Sequence, residues 1–102
     1  MAVISITKEN FTAEVLESAK PVLLDFYATW CGPCRMVSPL VDEIAEEYPE
    51  YIVGKIDVDA EGELARQFGI VSIPTLVAMK GGEIVNRTVG YAPKEDLLAM
   101  ME

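Results

Sequence analysis

A mixed β-sheet covered by helices on both faces is the α/β fold class this sequence predicts. Apolar runs of strand length alternate with segments of helical period from the amino terminus to about residue 70, a βαβαβα pattern. Residues 21–28 are apolar on both sides of a strand, as in the buried centre of a parallel sheet. Gly81-Gly82 then separates two strand-like runs as a two-residue hairpin and opens a ββα ending. Parallel connections followed by an antiparallel hairpin give a mixed sheet.

Taken in order, residues 3–6 predict a short first strand. A helix is expected over about residues 8–18, with Phe11, Val15 and Leu16 on one face and Thr7 or Thr12 as cap. Pro21 opens the second strand, and Asp25 interrupts its apolar run. A carboxylate inside a buried strand is costly unless paired or neutral. An edge position, a structural hydrogen bond or a proton-transfer role would each account for it. Residues 51–58 form a third strand that carries Lys55, placed either in solvent or beside Asp25. Asp59 is expected to cap a short helix with Leu64 and Phe68 inward and Gly69 as its left-handed stop. Strands over 76–79 and 84–89 flank the hairpin. Pro93 starts a last helix with Leu97, Leu98 and Met101 inward. Repeats and linkers are not apparent, so the expectation is one domain over residues 1–102.

The chemistry concentrates in Trp30-Cys31-Gly32-Pro33-Cys34, which holds both cysteines of the chain. It stands between the second strand and the main helix, expected over residues 32–48 and ended by Pro49. Val37, Leu40, Val41, Ile44 and Tyr48 keep one helical face in register across Pro39, which favours a kink over a break before Ser38. Cys31 then falls at the N-cap, with Gly32, Pro33 and Cys34 as the first three helical positions. Pro33 has no amide hydrogen, so the Cys34 amide is the donor available to the Cys31 sulfur. That donor and the positive helix end both favour a thiolate, so the Cys31 pKa is expected to be depressed and its sulfur nucleophilic. Cys34 lies over the same face at a spacing compatible with a disulfide. Such a pair can attack a foreign disulfide, form a mixed disulfide and close on itself. Asp25 would lie beneath the helix start, where burial raises its pKa and lets it take the Cys34 proton. The chain has no histidine to compete for that task. Half of a zinc site and an unreactive buried pair are the alternatives; zinc would need ligands from elsewhere, since a third cysteine is also lacking.

The 102 residues suffice for one core, and a hydrophobic fraction of 51% argues against disorder. Eight basic against seventeen acidic residues give a charge of −9, which disfavours nucleic acid and anionic membrane as partners. The apolar runs fall short of a membrane span. Residues 1–7 have no basic start, so no secretory signal is read, and a reducing cytoplasmic setting is expected. An exported protein with a trimmed leader would look the same.

These residues resemble the thioredoxin family over nearly the whole chain. The resemblance is carried by Asp25-Phe26, the Trp30–Cys34 motif, Pro39, Lys55-Ile56-Asp57-Val58-Asp59, Gly69-Ile70, Ile73-Pro74-Thr75, Gly81-Gly82 and Val89-Gly90. It implies a thioredoxin fold: a five-stranded sheet in order 1-3-2-4-5 flanked by four helices. It implies a cis Ile73–Pro74 bond beside the cysteines, with Ile73 contacting an extended substrate. It implies a client-binding rim of Trp30, Gly32, Pro33, Val58, Ile73, Pro74, Val89 and Gly90. Asp25 and Lys55 match the family's buried acid and its neighbouring lysine. The implied activity is protein-disulfide reduction by a monomer, with Cys31 attacking and Cys34 resolving. No bound cofactor or metal is implied, only the redox-active Cys31–Cys34 disulfide. A flavin- and NADPH-dependent thioredoxin reductase would return the electrons. An isomerase or oxidant, or a non-catalytic binding module, are the alternatives. Tyr27 and Thr29 occupy positions variable in the family, Tyr91 follows Gly90, and Val71 and Ser72 replace residues often basic or glycine in relatives; these departures bear on partner preference.

Overall fold

The computed structural model describes residues 3–102. In chain order it contains β1 (Ile4–Ser5), a π-helical segment (Thr12–Leu16), β2 (Val22–Tyr27) and α1 (Gly32–Glu47). These are followed by β3 (Ile52–Asp57), α2 (Gly62–Gln67), β4 (Thr75–Lys80), β5 (Glu83–Val89) and α3 (Lys94–Met100). The strands form one mixed sheet in order β1-β3-β2-β4-β5, the thioredoxin fold that the resemblance implied. β3 runs parallel to both β1 and β2, while β4 runs antiparallel to β2 and β5.

Alternation along β2 divides the core between two faces. Leu23 joins Val53, Leu76 and Ala78 beneath Val37, Val41 and Ile44 of α1 and Leu97 of α3. Val22, Leu24 and Phe26 join Ile56 and Val77 against Phe11, Val15, Leu64 and Phe68 on the other face. Phe68 anchors that second layer, 5.0 Å from the Phe26 ring and edge-on to Phe11 at 5.7 Å. Asp25 keeps step with Leu23 and so lies on the α1 face.

Gly54 shows how tightly β3 packs against the residue after β1 and against β2. A Cβ there would stand 2.6 Å from Ile6 Cγ1 and 3.3 Å from Leu24 Cδ2, both on buried side chains. Gly54→Ala is therefore expected to destabilise by about 2 kcal/mol, as overpacking does. A urea titration should show a lower midpoint at unchanged slope.

The first helix departs most from expectation. It spans Thr12–Leu16 in place of residues 8–18, and the Glu17 amide donates to Thr12 O, five residues back, at 2.9 Å. Neither Thr7 nor Thr12 caps it with its side chain. Instead Asn10 Oδ1 accepts from the Thr7 amide at 2.8 Å, and the Asn10 and Phe11 amides donate to Thr7 O, closing a turn ahead of the helix. Leu16, expected inward with Phe11 and Val15, is 40% exposed.

Elsewhere the corrections are small. β1 is limited to two residues. α1 runs unbroken through Pro39 to Glu47, so there is no break before Ser38. Asp57, not Asp59, closes the turn toward α2: its Oδ1 accepts from the Asp59 amide at 2.9 Å and the Ala60 amide at 3.3 Å. Gly69 is the expected stop, at φ +64°, with its amide donating to Arg66 O and that of Ile70 to Ala65 O. Gly81 and Gly82 both have positive φ, and Lys80 pairs Glu83 across the two-residue turn. Pro93 is the N-cap of α3 and not its first residue. Leu97 and Met101 are buried, Leu98 is half-buried, and Met100 also turns inward.

Candidate active site

The residue order Cys-Gly-Pro-Cys builds the site locally. Cys31 has extended backbone, φ −91° and ψ 115°, and caps α1. Its amide donates to Ala28 O at 3.2 Å, closing the turn out of β2. Its Sγ accepts from the Cys34 amide at 3.2 Å. Cys31 and Cys34 are joined as a disulfide across a Cα separation of 5.3 Å. Both are buried with Ala28, against Tyr27, Val58 and Ile73.

A second loop meets the first at Ile73. The Ile73–Pro74 bond is cis. Cys31 Sγ lies 3.8 Å from Ile73 O, a contact and not a hydrogen bond while the sulfur is oxidised. The Gly90 amide donates to Pro74 O at 2.8 Å, and Val89 pairs Thr75 across β4 and β5, so a third segment abuts the second. Around the disulfide, Trp30 is 65% exposed, and Gly32, Pro33 and Val89 are also exposed. Trp30 Nε1 donates to Asp59 Oδ2 at 2.8 Å, which fixes one edge of the ring. Val58, Ile73 and Gly90 are half-buried. Pro74 is buried, so its ring is not part of the open rim, as the sequence reading had it; it reaches the site through its peptide geometry and carbonyl. Val71 and Tyr91 extend the exposed apolar surface at the ends of these two loops, at 95% and 51%. Neither belongs to the rim that the resemblance implies; the signal for them is position, two residues before Ile73 and directly after Gly90.

Behind the disulfide lies the acid. Asp25 is 1% exposed, and among the described residues neither carboxylate oxygen has a hydrogen-bond partner. Its pKa is pushed up to about 6, first by burial, with Lys55 pulling it down and Asp42 adding to the rise. Lys55 is Asp25's register partner on β3. Its ammonium, however, donates to Asp42 Oδ1 at 2.9 Å and to Ser38 Oγ, both on α1. Lys55 is thus neither free in solvent nor bonded to Asp25. A cleft of about 360 Å³ opens beside it, lined by Tyr27, Ala28, Thr29, Cys34, Arg35, Ser38 and Lys55. Burial, Asp57 and Asp25 together raise the Tyr27 pKa.

Among the described residues no group of three or more histidine, cysteine, aspartate or glutamate side chains could hold a metal ion. Nor is any helix among them long and apolar enough to cross a membrane.

Comparison with known proteins agrees with this geometry. The thioredoxin family model matches residues 2–102. A thioredoxin of Mycobacterium tuberculosis is 52% identical over 95% of this chain and 84% of its own length. Thioredoxin 1 of a Nostoc species is 50% identical over 99% of this chain and 95% of its own. A bifunctional thioredoxin reductase/thioredoxin of Mycobacterium leprae is 52% identical over 93% of this chain, which spans 21% of that protein. With a cysteine pair at disulfide distance on the turn into α1, the chain belongs to the thioredoxin family of protein-disulfide oxidoreductases.

Proposed function

We propose that the protein is a reductase of protein disulfides in which Cys31 attacks and Cys34 resolves. One observation carries this: the Cys31 sulfur accepts the Cys34 amide at the start of a sixteen-residue helix, where a thiolate would be stabilised. The Cys31 thiolate attacks one sulfur of a client disulfide, and the other client sulfur leaves as a thiolate and takes up a proton. Cys34 gives up its proton and attacks Cys31 Sγ, expelling the second client sulfur. The client gains two electrons and two protons, and the Cys31–Cys34 disulfide forms.

Asp25 receives the Cys34 proton. The proton passes to it directly or through water; Cys34, Ser38 and Lys55 line one cleft. Lys55 tunes that acid by its charge. Clients lie across Trp30, Gly32, Pro33, Val58, Ile73, Val89 and Gly90. Backbone at Ile73 pairs with an extended client segment, and the apolar rim buries its side chains. A flavin- and NADPH-dependent thioredoxin reductase returns the electrons; the fused name of the M. leprae relative supports that pairing. A reducing cytoplasm suits a pair that must be cycled, and the protein acts there as a monomeric electron carrier.

Two measurements test this. The protein should accelerate dithiol-driven reduction of insulin, and absence of acceleration would contradict the reading. Cys34→Ser should keep the attacking sulfur but lose resolution. In a cell extract it should accumulate mixed disulfides that a reductant releases, whereas recovery of none would count against the two-step mechanism.

A further inference from the structure

Asp25 and Lys55 are register partners on adjacent parallel strands. A lysine stem is long enough to lay its ammonium on that neighbouring carboxylate. It does not: the ammonium is bonded to Ser38 Oγ and Asp42 Oδ1, and neither Asp25 oxygen has a hydrogen-bond partner among the described residues. Ser38 and Asp42 are four residues apart on α1, so they present both acceptors on one helix face. Ser38 is half-buried in the helix interior, where serine is not chosen for helix propensity.

We propose that Ser38, with Asp42, is a positioning residue for the exchange site: it holds the Lys55 ammonium on the helix, so that Asp25 faces the cysteines without a direct counterion. This rests on the reading of Asp25 as the group that takes the Cys34 proton. Lys55, its register partner on β3, and Asp42 of α1 are the charged groups that act on Asp25. Tyr27 stands two residues along its own strand, and Leu76, its β4 register partner, is uncharged. Lys55 is the one cation in that set, so where its head rests decides how readily Asp25 accepts a proton. Contact would make Asp25 a firmly ionised partner and a weak base; held on the helix, Lys55 acts only through space. Asp42 also repels charge on Asp25 directly.

The test follows the carboxyl-carbon NMR shift of Asp25 against pH in the reduced 102-residue protein. The variants are Ser38→Ala, Lys55→Met and their combination. Alanine is favourable in a helix, so Ser38→Ala is expected to fold. Ser38→Ala should lower the Asp25 midpoint by about 1 pH unit as Lys55 moves onto it. In the Lys55→Met background the same substitution should leave the midpoint unchanged. Asp42→Asn should lower it more with Lys55 present than without. A midpoint that Ser38→Ala leaves unmoved or raises, or lowers equally without Lys55, overturns the proposal. The titration needs no client, so its outcome is separate from the role of Asp25. That role is read from the pH dependence of the resolving step, and could fail while the tether stands.

Discussion

Cys31→Ser is expected to lower insulin-reducing activity at least about a thousandfold. Serine is among the best N-cap residues, and its hydroxyl can accept from the Cys34 amide as the sulfur does. The start of α1 should therefore survive, and the loss reports chemistry, not unfolding. A hydroxyl at neutral pH is neither ionised nor able to form a disulfide. Cys34→Ser is the matched control, because it loses the same cross-link yet keeps the attacking sulfur. It should react once with a client and stop. Circular dichroism of both variants beside the reduced parent checks that the fold is retained. Substantial multiple-turnover reduction by Cys31→Ser would remove the assignment.

Asp25→Asn is expected to move stability and rate in opposite directions. In the folded protein Asp25 titrates near 6, against 3.8 for the ordinary side chain. The folded state therefore binds more protons than the unfolded state between these values. Stability from this group is full below about pH 4, falls as pH rises to about 6, and is flat above. The difference amounts to about 3 kcal/mol at 1.36 kcal/mol per unit. Asparagine cannot ionise, so the variant should gain about that much on its parent between pH 4 and pH 8. Denaturant titrations at the two pH values measure it. An amide buried without a partner has a cost of its own, so the diagnostic quantity is the change with pH and not the gain at one pH. Above about pH 6, where the parent's Asp25 is ionised, the resolving step should slow about a hundredfold, the scale of a lost general base, and the difference should shrink toward pH 4. A stability difference that does not vary with pH would place the proton elsewhere.

What could be read in the sequence was local in origin. The cap at Cys31 follows from residues 31–34 alone, because a proline without an amide hydrogen leaves Cys34 as donor. The hairpin at Gly81-Gly82 and the stop at Gly69 follow from positive φ, which glycine adopts without strain. Strand order did not follow from periodicity; it came with the family resemblance. The misread parts depend on side chains distant in sequence or on competing local bonds. Asn10 closes a turn with Thr7 and displaces the helix start. Asp57 and Asp59 are equally good caps by type, and the indole of Trp30 occupies Asp59. By sequence, Lys55 reads either as solvated or as placed beside Asp25, whereas α1 packs over β3 and brings Ser38 and Asp42 to it. No spacing in the sequence encodes that meeting.

The central claim is that a helix start makes the Cys31 sulfur anionic near neutral pH. Its most direct measurement is the alkylation rate of Cys31 against pH in Cys34→Ser, where one thiol titrates alone. The account predicts a midpoint below the ordinary thiol value of about 8.5, rising when solvent or temperature melts the first turn of α1. A midpoint at or above that value in the folded protein would contradict it.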